Sequence, residues 1–222
     1  MNRFETASPE TLIKLASYEA KVRVAPINTF RSLDQIAATT GFDTAEKLGP
    51  YLSGKDTLDL GAGLCGLAIE AYLGKFSRRV CSLSPAAANP DFEEQRWATL
   101  VDKNYLKKYS VVQLETAIKH TNGLTFPHFA HGLPFPNLVF DLVIDNWAVS
   151  LFANQEYSQF YEAALHEVFR VLKPKGTYHI GDPEHTTVWK HTLLHAVCRQ
   201  YNAKIEPIWW RQSAQTGWKI SI

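Results

Sequence analysis

The stretch TLDLGAGLCG, residues 57–66, combines a short apolar run, one carboxylate and three glycines. Because glycine has no Cβ, a ligand can come close to the backbone of a turn that contains it. Where such a turn leads into a helix, the free amides of the first helical turn can bind polar groups of that ligand. Gly61, Ala62 and Gly63 therefore form a candidate ligand loop, and a tight turn that binds nothing is the alternative interpretation.

The spelling of this loop from Gly61 to Gly66 is GxGxxG, the fingerprint of a nicotinamide dinucleotide site. That fingerprint expects an acidic residue about 20 positions later, which binds the ribose hydroxyls. Residues 81–84, Cys-Ser-Leu-Ser, contain no acid. NADP does not need the acid, but Arg78 and Arg79 precede the second predicted strand instead of following it. An NADP-linked oxidoreductase is therefore one of the hypotheses that the sequence leaves open.

Histidines are the first candidates for acid–base chemistry near neutral pH. His128 and His131 lie close to the end of the third predicted strand, the short apolar segment 124–126, and His185 follows the fifth, at 177–180. Each could face a bound acceptor, and each is also an ordinary polar loop residue, so the catalytic residue stays unknown. His191 and His195 have the i, i+4 spacing of metal ligands on a helix. Since no third ligand is evident, we expect a solvated helix face and no metal.

These residues must be positioned by a regular alternation of strands and helices. The apolar run VFDLVIDNWAV, residues 139–149, is typical of a central parallel strand buried on both faces. The pattern predicts further strands at 57–60, 79–83 and 177–180, and helices at 64–73, 92–108, 157–172 and 187–201. Gly74 should end the first of these helices, and Pro174 and Gly176 the third. Such alternation predicts an α/β fold with a doubly wound, mostly parallel sheet that binds ligands at the carboxyl ends of its strands.

The two ends of the chain depart from this alternation. The first fifty residues predict helices at 11–21 and 32–39, so we expect residues 1–50 to form a helical cap or lid on a core domain of residues 51–222. The last two strands, KIEPIWW and GWKISI, are predicted to form an antiparallel pair. Their tryptophans, Trp209, Trp210 and Trp218, are expected to pack on the sheet.

Composition limits the class of function. The chain has 222 residues, 45% of them hydrophobic, and a formal net charge of +1, which predicts a globular protein without an electrostatic surface for nucleic acid. It shows neither a signal peptide nor an apolar run long enough to span a membrane. The cysteines, Cys65, Cys81 and Cys198, have no CxxC spacing. We therefore expect a reduced, cytoplasmic protein, whose oligomeric state the sequence does not indicate.

Three segments occur in an order that resembles a known family. They are LDLGAG at 58–63, HGLPFPNLVFDLVIDNWAVSLF at 131–152 and FYEAALHEVFRVLKPKGTYHIGDP at 160–183. Together they resemble the motifs of class I S-adenosylmethionine-dependent methyltransferases, over residues 50–222. The resemblance implies a Rossmann-like methyltransferase fold with a seven-stranded sheet, S-adenosylmethionine as cofactor and a small-molecule methyl acceptor.

The resemblance also implies the residues that contact the cofactor. These are Asp59, Gly61, Ala62 and Gly63 around its methionine part, Ser82 and Leu83 at the ribose, Phe129 and Ala130 at the adenine, and Asp145, Asn146 and Trp147 near the methyl group. Ser82 and Phe129 stand where the family usually has carboxylates, each of whose hydrogen bonds contributes about 1.5–3 kcal/mol. A methyltransferase-like module that binds or regulates without catalysis is therefore the main alternative to an enzyme. Trp147 suits either a cation–π contact with a sulfonium or core packing.

Overall fold

The chain is described here by a computed structural model that covers residues 32–63, 67–102, 125–146, 148–149, 158–181, 188–210 and 214–222, with five single positions between 10 and 20. The helices are α1 (Leu33–Thr39), α2 (Ala45–Leu52), α3 (Leu67–Phe76), α4 (Phe92–Asp102), α5 (Ser158–Val171) and α6 (Val188–Gln200). The strands are β1 (Asp56–Leu60), β2 (Arg79–Leu83), β3 (Thr125–Phe126), β4 (Phe140–Asn146), β5 (Leu172–Gly181), β6 (Lys204–Trp210) and β7 (Ala214–Ser221).

All of these strands belong to one sheet, in the order β3-β2-β1-β4-β5-β7-β6. Strands β1 to β5 are parallel, and β7 pairs antiparallel with both β5 and β6. The predicted seven-stranded, mostly parallel sheet is therefore confirmed, as is the antiparallel pair at its end. The strand order reverses between β1 and β4, and ligands of such sheets bind at the carboxyl ends next to this switch point.

Helices cover both faces of the sheet, which explains why β4 is apolar almost throughout. On one face α5 and α6 pack over Leu58, Leu60 and Val143, and on the other α1, α2 and α3 pack over Leu142 and Ile144. Alternate residues of a strand point to opposite faces, so adjacent residues of β4 belong to different hydrophobic clusters. The predicted central strand is confirmed, although it ends at Asn146 and not at residue 149.

The described part of the N-terminal segment lies against the sheet. Helix α1 begins with Ser32 as a capping residue, whose hydroxyl and backbone amide exchange hydrogen bonds with Gln35 in a capping box. Ile36 of α1 and Leu48 of α2 are fully buried beside α3. The predicted helix at 32–39 is thus confirmed, and α2 is a helix that the sequence analysis did not identify. The predicted helix at 11–21 lies outside the continuously described residues, so closure of a lid stays a prediction.

Two glycines and a proline do not end helices as the sequence predicted. Helix α3 continues through Gly74 to Phe76, and β5 begins at Leu172, so Pro174 and Gly176 lie inside a strand. Lys175 between them has φ 67°, and the pairing of β5 with β4 shifts register at this point. Proline and glycine are typical of such irregular strand positions, which the helical pattern of the preceding residues cannot reveal.

The amino ends of the strands hold an ion cluster on the side opposite the candidate ligand loop. Asp56 accepts hydrogen bonds from Arg78 and from Lys173 Nζ at 2.9 Å, and Lys173 Nζ also bonds Asp141 at 2.9 Å. The Arg78 guanidinium lowers the pKa of the Asp56 carboxyl to about 2. Arg79 also faces Asp56, at 3.5 Å. Both arginines considered for an NADP phosphate are therefore bound at the wrong end of the sheet.

Candidate functional site

The glycine loop leaves the carboxyl end of β1 in a conformation that favours glycine. Gly61 has φ 73° and Gly63 has φ 53°, both in the left-handed region. The amide of Ala62 donates to the carbonyl of Leu83 at 2.9 Å, which ties the loop to the end of β2. Asp59 is fully buried two residues before the loop. Leu64, Cys65 and Gly66 lie outside the described residues.

The two glycines are required for different reasons. A Cβ on Gly61 would lie 2.5 Å from the Cβ of Ala148, so this glycine lets the loop pack against the turn that follows β4. A Cβ on Gly63 would have only the Gly61 carbonyl oxygen nearby among the described residues, at 3.8 Å. Packing within the described residues therefore explains Gly61, whereas at Gly63 the described residues leave space beside the backbone.

Asp145 shapes the turn after β4. Its Oδ1 accepts the amides of Ala148 at 2.7 Å and Val149 at 3.2 Å, and its Oδ2 accepts the Tyr178 hydroxyl at 2.8 Å. Burial and the neighbouring Asp145 carboxylate raise the pKa of Tyr178 well above its usual value, so it stays a hydroxyl donor. These bonds hold Ala148 against Gly61. Trp147 lies outside the described residues.

We expect Tyr178→Phe to lower the free energy of unfolding by about 1.5–3 kcal/mol, because it removes a buried hydrogen bond to a carboxylate. Urea unfolding monitored by far-UV circular dichroism measures this change. Tyr72→Phe is a suitable control, since the Tyr72 hydroxyl donates to the neutral carbonyl of Ala45 and its loss should cost only about 0.5–1.5 kcal/mol. A smaller loss for Tyr178→Phe than for the control would contradict the role given to Asp145.

Asn146, the last residue of β4, is held by two other elements. Its Oδ1 accepts the Thr39 hydroxyl of α1 at 2.9 Å, and both residues are buried. A Cβ on Gly181, at the end of β5, would lie 2.5 Å from the Thr39 hydroxyl oxygen, so glycine leaves room for this pair. Because Oδ1 is bonded to Thr39, the amide NH₂ of Asn146 is the group that can donate to a ligand at this edge.

The end of β2 carries small polar side chains in a buried setting. Ser82 and Ser84 are each 2% exposed, and the amide of Ser84 donates to the carbonyl of Phe126 at the end of β3. Ser82 is in register with Thr125, whose hydroxyl donates to Glu70 at 3.1 Å. Ser82, Leu83 and the glycine loop thus form one continuous edge of the sheet.

The loop after β3 places an aromatic side chain where the resemblance expected the adenine. The Phe129 ring stacks on the His131 ring with centroids 5.5 Å apart and an angle of 25°. Ala130 is buried in the same hydrophobic cluster as Leu60 and Leu83, at the ends of β1 and β2. His131 is buried and also contacts Phe160, so it belongs to the core more than to an open loop.

The other candidate histidines do not meet at this edge. His128 is exposed, and His185 lies outside the described residues. The expected solvated face for His191 and His195 is wrong: both are partly buried against Trp218, and their Nε2 atoms are 3.0 Å apart. The reason is that Trp218 of β7 packs against α6, and the residue pattern of the helix alone cannot reveal this contact. Trp209, in contrast, is 54% exposed and does not pack on the sheet as expected.

Two negative findings apply to the described ranges. They contain no group of three or more histidine, cysteine or acidic side chains able to hold a metal ion. Nor does any helix within them combine the length and the apolar character needed to cross a bilayer.

The structure places most of the predicted site residues at or near the carboxyl ends of β1, β2 and β4. It adds Thr39, Gly181, Tyr178 and Ala148, which the sequence analysis missed. Thr39 and Asn146 are 107 positions apart, so no local pattern could have linked them. Ala148 was inside the quoted DNWAV stretch, but only its contact with Gly61 reveals its importance.

Neither a protein-family model nor a curated protein matches this sequence. Its fold does match solved structures. The PH0226 protein from Pyrococcus horikoshii aligns with 93% of this chain and 96% of its own, at 16% identity and a TM-score of 0.50. Phosphoethanolamine N-methyltransferase 1 from Haemonchus contortus, bound to phosphoethanolamine and S-adenosylhomocysteine, aligns with 99% of this chain and 50% of its own (15% identity, TM-score 0.49). A SAM-dependent methyltransferase from Methanosarcina mazei aligns with 81% and 97% (14% identity, TM-score 0.44). The likeness to the Pyrococcus protein shows a shared fold.

Proposed function

We propose that this protein is an S-adenosylmethionine-dependent methyltransferase that acts on a small-molecule acceptor in the cytoplasm. The observation that supports this most is the space that the described residues leave at Gly63, where the backbone turns at the carboxyl end of β1, beside the switch point of the sheet. Asp59, buried just before the loop, matches the methyltransferase motif and has no place in the nicotinamide fingerprint. When bound, S-adenosylmethionine supplies a methyl group carried on a positively charged sulfur.

Different residues of the proposed site bind the cofactor and orient the acceptor. The described residues leave room for the methionine part at Gly63, while Gly61 lets the loop pack against Ala148 and Ala62 ties the loop to β2 through Leu83. The nucleoside part would lie along the ends of β2 and β3, over Ser82, Leu83, Phe129 and Ala130. Asp145 holds Ala148 and Val149 after β4, and the Asn146 amide can orient an acceptor oxygen or nitrogen. Holding acceptor and donor in line in a closed pocket supplies much of the rate of a methyl transfer.

The alternatives are supported less well. The near-zero net charge of +1 favours a small acceptor over nucleic acid. Binding of NADP at β2 is disfavoured because Arg78 and Arg79 face Asp56 at the opposite end of the sheet. A module that binds without catalysis is favoured by one observation, namely that Ser82 and Phe129 replace carboxylates. It predicts binding of the cofactor without turnover.

The proposal predicts that S-adenosylhomocysteine raises the melting temperature, because a ligand that binds only the folded state stabilises it. At a ligand concentration of 100 Kd the gain is about 2.7 kcal/mol. Differential scanning fluorimetry with S-adenosylhomocysteine, NADPH and NADH measures the effect, and calorimetric titration gives the affinities. A shift with NADPH and none with millimolar S-adenosylhomocysteine would overturn the methyltransferase proposal.

A further inference from the structure

The two chain segments that contain the ends of β2 and β3 are free of carboxylates. The sequence has no aspartate or glutamate from Arg79 to Pro90 or from Thr125 to Phe140. These two segments contain the ends of β2 and β3 and the residues that follow them. They are joined to the loop and to each other by the Ala62–Leu83 and Ser84–Phe126 backbone hydrogen bonds. A ligand that extends from the switch point over β2 and β3 therefore lies along them.

A buried carboxylate that is hydrogen-bonded to β3 is already engaged. Glu70 of α3 accepts a hydrogen bond from the Thr125 hydroxyl. It also forms an ion pair with Arg96 of α4, and the Arg96 side chain is buried, at 1% exposed. Thr125 is the in-register neighbour of Ser82. The charge of Glu70 is thus compensated within the protein, and Ser82 presents a neutral hydroxyl at the position where dinucleotide sites of this topology use an acid for the ribose.

The next wall along the edge is apolar. Phe129 is 6% exposed and its ring lies on the ring of His131, while Ala130 is buried within the same hydrophobic cluster as Leu60 and Leu83. Neither side chain can accept a hydrogen bond from an amino group. An apolar wall contributes contact area to any purine ring, and it does not distinguish purines by their exocyclic substituents.

We infer that this site binds the nucleoside half of its cofactor without charge-assisted hydrogen bonds, through a neutral hydroxyl at Ser82 and apolar contact at Phe129, and that it therefore accepts nucleoside-modified cofactor analogues. This inference depends on the proposed function. A site built around a carboxylate would reject a ligand that lacks the matching donor, because its buried acceptor would be left unpaired. A neutral hydroxyl and an aromatic ring carry no such penalty.

The test is a set of three calorimetric titrations of the wild-type chain. The ligands are S-adenosylhomocysteine, its 2′-deoxy analogue, and its 6-deamino analogue, in which hydrogen replaces the exocyclic amino group. Since a neutral hydrogen bond changes affinity by up to about tenfold, we expect the three dissociation constants to agree within about tenfold. Selectivity for S-adenosylhomocysteine above about tenfold over either analogue would overturn the inference and leave the proposed function intact. Failure of all three to bind would overturn both.

Two substitutions sharpen the result in a protein shown to be folded by circular dichroism. Ser82→Asp should create selectivity of about tenfold or more against the 2′-deoxy analogue, because a carboxylate binds hydroxyls more strongly than a neutral group does. Ser82→Asn is the matched control, because asparagine is nearly the same size as aspartate but uncharged. It should create little selectivity against the 2′-deoxy analogue. Equal selectivity in the two variants would contradict the assignment of Ser82 to the ribose. The wild-type titrations decide the inference even where a variant does not fold.

Discussion

Gly63→Val is expected to abolish binding of S-adenosylhomocysteine, with an affinity loss of more than about a hundredfold, while the protein remains folded. A side chain at this position would project into space that the described residues leave open, where only the Gly61 carbonyl oxygen lies within 4 Å. The physical effect is steric exclusion of a ligand that must approach the backbone. The measurements are calorimetric titration for affinity and urea unfolding for stability.

The control for this variant is Gly54→Val. Gly54 has φ 74°, in the same left-handed region as the φ of 53° at Gly63, and among the described residues nothing lies within 4 Å of a Cβ at Gly54. Both variants carry the same left-handed strain of about 1–2 kcal/mol, but Gly54 precedes β1 at the opposite end of the strand. We expect equal losses of stability and a loss of binding only in Gly63→Val. Unchanged affinity in Gly63→Val would mean that the loop is only a turn.

The second large effect is a pH dependence of stability that originates at His179. This residue of β5 is 1% exposed, and its Nε2 lies 3.0 Å from the Tyr51 hydroxyl, which can donate to the neutral ring. Burial, with the positive charge of Lys219 as a smaller cause, lowers the pKa of His179 from 6.5 to about 3. In the unfolded chain the ring binds a proton below about pH 6.5, whereas in the folded protein it stays neutral. Unfolding therefore takes up a proton in this window, and acid favours the unfolded state.

The expected slope follows from this difference of one proton. The contribution of His179 is fully present above pH 6.5 and falls by about 1.4 kcal/mol per pH unit as the pH drops toward 3. His179→Gln keeps an acceptor for Tyr51 and cannot titrate, so the free energy of unfolding should lose this slope between pH 6.5 and 5. Urea titrations of both proteins at several pH values measure it, and slopes above pH 7.5 should agree. If the free energies of unfolding of the two proteins ran parallel throughout the acid range, His179 would be protonated in the folded protein as readily as in the unfolded chain.

The sequence by itself determined the features that depend on local pattern. The apolar run of β4 predicts burial on both faces, and the helical stripe of α5 predicts a helix within one residue of its observed bounds at Ser158 and Val171. Hydrophobic periodicity carries this information because burial repeats with the geometry of the element. The glycine loop was also predicted, since a strand, a glycine turn and a helix follow each other directly in the chain.

The tertiary structure decided which of the candidate residues meet, and what each of them contacts. Gly61 is required by Ala148 and Asp145 is engaged by Tyr178, whereas the described residues leave space beside Gly63. These distinctions depend on contacts between residues that lie 33 or more positions apart, such as Asp145 and Tyr178. The partial burial of His191 and His195 against Trp218 has the same origin. Trp218 belongs to β7, which pairs with β5, and this pairing brings it to α6 although the two are distant in sequence. Local periodicity reports which face of an element is buried, and only packing determines which distant element buries it.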